Sequence, residues 1–385
     1  MGLRLLQNDG NNNIIGSDIN SLSLARGASG LPPSQTPALV GARHGHISCS
    51  DDVQDVDSSM DYLAYWNDPG SMDLEFMSPF DVNTKDNNHD STKKERIRKY
   101  ITFEPDRGGW NNIRMSMEII FVFAAVTRRT LVLPPDTPFY LLGNKDGDRG
   151  SKHHGFADFI DMNGIKRQID IITMKEFLDM EADTKDGRLS SLPKGRIGEK
   201  ILKSADFCYY MAKSDRSCDH IYGFLKDHAY VPPLQAARDC LIFDAPSYNL
   251  LAKEPTTTDE EILDLLNEEK TQQIHNFCHE RNPIFYGREL ASAPLIHFHS
   301  GDKYHRLLNH FYTFLLFTDA KVGNHYKRFV RDYLHYVDAI YCAAGKIIRL
   351  LEEEARVQAA TAGRGVSSPG FSSMHIRRGD FQCEC

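Results

Sequence analysis

The chain of 385 residues is 41% hydrophobic and 25% charged, with a formal net charge of −8. Those values describe a globular protein, either one large domain with a tail or two domains. The acidic balance and the lack of a dense basic stripe leave no footprint for nucleic acid, although two or three well-placed arginines suffice to hold a polyphosphate.

Along the chain, Met1 to Asp9 lacks the apolar core of a signal peptide, and Leu6 breaks the myristoylation pattern that Gly2 begins. No apolar run is long enough to cross a bilayer. Residues 1–95 are rich in Asn, Asp, Ser, Gly and Pro, with no lasting helical or strand period. They are expected to be disordered, because they bury too little surface to offset chain entropy. Tyr62-Leu63-Ala64-Tyr65-Trp66 is an apolar patch there that could dock.

Order is expected from Arg98. Tyr100 to Phe103 reads as a buried strand, followed by a turn through Pro105 and Gly108-Gly109. Ile113, Met117, Ile120 and Ala124 fall at helical spacing, and the opposite side is also apolar, so Ile113 to Val126 reads as a helix covered on most sides. Thr130 to Leu133 is a second strand, stopped by Pro134-Pro135. Strand, glycine turn, buried helix and strand make a βαβ unit, hence an α/β fold with a parallel sheet. Residues 143–155 form a polar loop, and Ile171 to Leu178 runs from strand into helix. Thr258-Asp259-Glu260-Glu261 is a capping box that opens a helix through Leu263 and Leu266. A short strand, Leu295 to His299, precedes two long helices, around Tyr304 to Leu316 and His325 to Leu351. Ala359 to Pro369 is a small-residue linker, and a terminal strand follows it.

Eight cysteines occur, none in a CxxC pair. The spacings of Cys208, Cys218, Cys240 and Cys278 suit disulfides in an oxidising compartment and equally suit buried thiols in a reducing one. No Asn-x-Ser/Thr sequon is present.

Two segments carry chemistry. In Arg107-Gly108-Gly109-Trp110-Asn111-Asn112-Ile113-Arg114 the glycines let a ligand approach the backbone, and the following helix offers free N–H groups. The alternative is an ordinary βα turn with an Asn cap, and an i,i+4 salt bridge explains Arg114 with Glu118. In Met374-His375-Ile376-Arg377-Arg378-Gly379-Asp380-Phe381, His375 and Arg377 share one face of a strand, where Arg377 offers a bidentate fork to a phosphate. Solvated arginines or an Arg-Gly-Asp tripeptide are the alternatives. His153-His154 and His297-x-His299 lack the further ligands of a metal site, so no metal is expected.

These segments support a resemblance. Gly108 to Arg114 is similar to the G-G-(aromatic)-N-N-Q-R turn of the GDP-fucose protein O-fucosyltransferase family. Met374 to Phe381 resembles the H-x-R-R-G-D-F peptide shared by that family and the α1,6-fucosyltransferases. Leu295 to Phe317, with His299-Ser300-Gly301-Asp302-Lys303-Tyr304-His305-Arg306 at its centre, resembles the family's second block, and Arg331 to Tyr336 fits the helix after it.

The resemblance implies a two-lobed GT-B glycosyltransferase. Residues 96–358 would be an N-terminal, Rossmann-like acceptor-side lobe, 359–370 a linker, and 371–385 the first strand of a donor-binding lobe. The implied reaction is inverting transfer of fucose from GDP-β-L-fucose to a Ser or Thr of a folded protein domain, without a metal or other cofactor. By position, Arg377 would meet the β-phosphate, His375 the nucleotide portion, and Asn112 the fucose and acceptor hydroxyl. Arg378, Gly108, Gly109 and Asn111 complete the expected donor contacts. Family membership also implies the endoplasmic reticulum or Golgi lumen. For the general base, Glu104 and Asp106 are the candidates, each with a solvated turn carboxylate as its alternative reading. Ile113 replaces the family's Gln. The family continues for about a hundred residues or more beyond the H-x-R-R motif, so a truncated chain with weak or absent transfer is expected. A non-catalytic fragment that binds proteins, or another nucleotide-dependent transferase, are the rival readings.

Overall fold

The expected βαβ unit is present. In the computed structural model, β1 (Tyr100–Phe103) is buried at all four positions. It leads into α1 (Trp110–Thr127), in which every residue from Ser116 to Thr127 is buried. A helix covered on most sides belongs inside a layered fold rather than on its surface. β2 (Thr130–Leu133) then pairs in parallel with β1. The structure describes residues 45–49, 60–68, 75–82, 98–106, 109–137, 155–182, 192, 194–209, 217–300 and 306–363.

The chain continues through α2 (Met162–Ile165), β3 (Ile171–Thr173), α3 (Met174–Glu181), α4 (Arg196–Lys203) and α5 (Ser217–His228). Next come β4 (Asp239–Phe243), α6 (Ala245–Lys253), α7 (Asp259–Glu269), α8 (Thr271–Cys278) and β5 (Asn282–Phe285). The last elements among the described residues are α9 (Arg288–Ser292), β6 (Leu295–Phe298), α10 (Phe311–Phe314), β7 (Leu315–Phe317), α11 (Ala320–Tyr333) and α12 (Asp338–Thr361). The strand-to-helix passage at Thr173 and the helix start at Thr258 both carry full capping boxes, closed by Glu176 and Glu261.

The strands form two sheets, ordered β3-β2-β1-β6 and β5-β4-β7, and every ladder is parallel. The α/β expectation therefore holds, with the sheet divided in two. One apolar core runs through both sheets, taking in Phe103 of β1, Phe123 of α1, Phe243 of β4 and Phe317 of β7. Arg129 is wholly buried there, and its guanidinium donates to the carbonyls of Leu290 and Ala293 at 2.7 and 2.6 Å. It thereby puts a cation on the negative end of α9. In the four-stranded sheet the chain leaves β1 for β2 on one side and returns to β6 on the other. The order thus reverses between β1 and β6, where open parallel sheets leave a crevice at the carboxyl ends of their strands.

Three expectations need correction. The helix expected over Tyr304 to Leu316 is, in its described part, the single turn α10 and then β7, because Leu315, Leu316 and Phe317 are buried and pair with β4. The helix expected over His325 to Leu351 is two helices. Between them the His335 carbonyl accepts from Asp161 N–H, and Val337 N–H donates to the Phe159 carbonyl, each at 3.0 Å. Those bonds draw the backbone out of the helical ladder. The linker expected from residue 359 begins inside α12, which runs to Thr361.

The disorder expected for residues 1–95 does not hold for the described pieces. Ile47, Met60 and Trp66 are buried with Tyr341 of α12. Trp66 stacks on His335 with centroids 4.1 Å apart. A Cβ at Gly345 would overlap Met60 Sδ, so the missing side chain makes room for it. Phe80 sits in the main core against Phe243, and Phe76 stacks on His325 at 3.7 Å. A few aromatic anchors suffice because a disulfide, Cys49–Cys342, ties the segment down.

Two more disulfides join Cys208 to Cys218 and Cys240 to Cys278, so the oxidised alternative is the one observed. Replacing Cys49 and Cys342 together by Ser is expected to cost about 5–6 kcal/mol in chemical denaturation, against about 3 kcal/mol for Cys208 with Cys218. The ranking follows from sequence separations of 293 and 10 residues. Equal losses would contradict it.

Candidate functional site

The β1–β6 ladder extends one residue past its strands. The Glu104 N–H donates to the Phe298 carbonyl at 2.9 Å, which sets Glu104 beside His299 at the carboxyl edge of the sheet. Glu104 is only 4% exposed. Three cationic or proton-bearing groups converge on its Oε1: His299 Nδ1 at 2.8 Å, Lys226 Nζ from α5 at 3.2 Å, and His297 Nε2 at 3.6 Å. Burial alone would raise the carboxyl pKa. His297, His299 and the Lys226 charge overcome that and hold it down at about 2.

An ionised carboxylate can only accept, so the proton of the 2.8 Å bond sits on His299 Nδ1. In the neutral ring the lone pair then lies on Nε2. The His299 side chain is 18% exposed, whereas His297 is wholly buried and its pKa is lowered, mainly by that burial. Thr102 Oγ1 lies 2.9 Å from His297 Nδ1, and Tyr222 stacks on the ring. His297 thus backs the carboxylate from inside the sheet.

The cluster links pH to stability. The Glu104 pKa is lower in the folded chain than its ordinary 4.5, so its contribution is fully present above pH 4.5 and is lost as pH falls through about 2. The shift corresponds to on the order of 3 kcal/mol. Acid unfolding of the wild type should therefore exceed that of Glu104→Gln in its dependence on pH over this window, as read from denaturation midpoints. Identical pH dependence would contradict the assignment.

Asp106, two residues on, is 3% exposed and receives both forks of Arg306, Nε and Nη2, at 2.7 Å each. Neither carboxylate is a solvated turn group, which corrects that alternative reading. Bidentate pairing commits both Asp106 oxygens to positioning the segment after β6.

The amino end of α1 lies just beyond. Gly109 is its N-cap, with extended backbone at φ −62°, no side-chain cap and no acidic residue in the first turn. A Cβ added there would meet nothing within 4 Å, so neither backbone conformation nor packing demands glycine. Asn111 is exposed and Asn112 half-buried, and neither side chain caps the helix. Arg114 pairs with Glu118 at 3.1 Å and donates to the Tyr336 hydroxyl at 3.0 Å, so the helix salt bridge is real. Ile113 is buried against the core, which accounts for an apolar residue at that position.

Glu104, Asp106, Gly109, Asn111 and Asn112 therefore lie on one short β1–α1 connection. Arg107, Gly108, His375, Arg377 and Arg378 lie outside the described residues, as do His153-His154. Sequence reasoning missed His299 and Lys226 as members of the site. The His297-x-His299 spacing was a usable signal once β6 is known to flank β1; Lys226 left none. Among the described residues, no group of three or more His, Cys, Asp or Glu is placed to hold a metal, and no helix is long and apolar enough to cross a membrane.

A family model, GDP-fucose protein O-fucosyltransferase, matches residues 100–385. The chain belongs to this family. No curated protein matches it. As an O-fucosyltransferase family member it is a glycosyltransferase by descent, with GDP-fucose as the family's donor, protein as its acceptor and the secretory pathway as its setting. The parallel α/β architecture is consistent with a glycosyltransferase fold.

Proposed function

We propose that this protein transfers fucose from GDP-β-L-fucose to a Ser or Thr hydroxyl of a folded acceptor domain, inverting the anomeric carbon without a metal or other cofactor. The observation that carries the reading is the buried Glu104–His299 pair at the β1–β6 edge, directly before the glycine turn that resembles the family's. A GT-B arrangement would make the described residues the acceptor-side lobe. The second lobe would bring Arg377 to the β-phosphate, with His375 and Arg378 on the nucleotide. Gly108, Gly109 and Asn111 offer the α1 amino end to the donor, and Asn112 reaches the fucose and the acceptor hydroxyl.

The hydroxyl proton must leave as the bond to fucose forms. Both oxygens of Asp106 are held by Arg306, so deprotonation falls to the Glu104 cluster. The three disulfides among the described residues support the endoplasmic reticulum or Golgi lumen as the compartment.

Calorimetry with free nucleotides tests the donor class. GDP and GDP-fucose should bind, with or without EDTA. Silence toward both, with a response to a sulfonucleotide, would overturn the reading in favour of another nucleotide-dependent transferase.

A further inference from the structure

Resting on Arg377 as the residue that meets the donor phosphate at the α1 amino end, we propose that the open face of α12 is the docking track for residues 365–376 of this same chain. Apolar residues run down two sides of this helix. On one, Tyr341 and Gly345 pack against the segment of Met60 and Trp66. On the other, Ile347, Leu350 and Val357 are 59%, 66% and 56% exposed, and the exposed Ala343 stands in line before them. Spacings of four, three and seven residues place all four on one stripe, which Glu354 interrupts. A helix with apolar residues on two faces gains from cover on both.

The course of the chain selects the occupant. α12 begins two residues after Tyr336, whose hydroxyl accepts from Trp110 and Arg114 of α1 at 3.2 and 3.0 Å. The helix therefore starts beside the α1 amino end, and its 24 residues end about 36 Å from that start. Gly363, in the left-handed region at φ 64°, then takes the chain off the helix axis. Arg377 lies 14 residues after Gly363, a reach of about 50 Å at full extension. A return of about 36 Å leaves that length little slack, so the path runs back along α12. The stripe is the side of the helix left exposed to receive it.

The composition of the segment fits. Between Arg364 and Arg377 there is no Asp, Glu, Lys or Arg, and Val366, Phe371, Met374 and Ile376 supply apolar contacts. The Gly and Ser residues among them let the backbone lie close to the helix. A second copy of the chain is a poorer occupant. The three large side chains expose on the order of 300 Å², against the roughly 800 Å² per partner of a stable dimer. A tethered segment needs less area, because its effective concentration is high. Docked in this way, the segment aims His375 and Arg377 at the β1–β6 edge.

A photo-reactive side chain, Leu350→p-benzoylphenylalanine in the full chain, tests the track. Irradiation should give a monomer-sized product whose cross-link maps within residues 365–376. Cross-links that join two molecules, or that land on another segment, would overturn the proposal. Hydrogen exchange reads the same contact without the probe. Amides of residues 365–376 should exchange about tenfold more slowly in the wild type than in the double variant Ile347→Glu, Leu350→Glu. Both side chains are exposed, so the thermal midpoint should stay near wild type. Equal exchange in the two proteins would also overturn the track. Neither readout depends on transfer. A cross-link in place without GDP binding would overturn the donor reading alone, and normal GDP binding without the cross-link would overturn this proposal alone.

Discussion

Glu104→Gln should lower kcat for fucosyl transfer by on the order of 10²–10⁴ while leaving GDP affinity within about twofold. Gln keeps the shape of Glu and can still accept from His299 Nδ1, so geometry is largely preserved. What disappears is the buried negative charge on which His299, Lys226 and His297 converge. Lys226 Nζ, 3.2 Å from Oε1 and 3.5 Å from His299 Nδ1, is then left beside the ring without a carboxylate to offset its charge. Asp106→Asn is the matched control. It weakens the Arg306 fork and therefore stability, but turnover per folded molecule should remain within a few-fold of wild type. If Asp106→Asn removes turnover and Glu104→Gln spares it, the two carboxylates have been assigned the wrong way round.

Arg377→Ala is the second large expected loss, on the order of 10²–10³ in kcat. The expectation comes from the family motif and from the chemistry of the leaving group. As GDP departs, charge grows on the β-phosphate, and a guanidinium fork would meet two of its oxygens at once. Arg377→Lys should recover only part of the loss, because an ammonium offers a point charge where a planar fork is needed. Steady-state kinetics with GDP-fucose and acceptor would read both variants. Full activity in Arg377→Ala would remove this residue from the mechanism.

The parts of the fold visible in sequence were those set by local pattern. The run from Ile113 to Val126 is apolar on most sides, and Thr258 with Glu261 spells a capping box, so both helices are legible in the sequence. The division into two sheets was hidden because it depends on partners distant in sequence. Leu315 to Phe317 continues a run that looks helical by spacing, and only pairing with β4 makes it a strand. The aromatic pieces around Trp66 and Phe80 looked too sparse to order a polar segment. Their burial depends on α12 and on a Cys49–Cys342 bridge that no local spacing announces.

The site divides the same way. Glu104 and Asp106 stand out in the sequence for lying between β1 and the glycine turn, but their burial is not legible there. It arises from Lys226 on α5 and from His299 and Arg306 around β6, all brought in by tertiary structure. By spacing alone, the His297-x-His299 pair is half of a metal site without its further ligands. In the structure both rings turn to Glu104, because β6 lies beside β1 and the same-face alternation points them at its end.

The central claim is transfer of fucose to protein hydroxyls. Its most direct measurement combines the purified chain with labelled GDP-fucose and folded acceptor domains, followed by mass spectrometry and linkage analysis of the modified residue. The expected product is α-linked fucose on Ser or Thr, formed equally well in EDTA and with release of one GDP for each fucose attached. GDP-fucose left unconsumed in the presence of acceptor, or a product that retains the donor's β configuration, would contradict it.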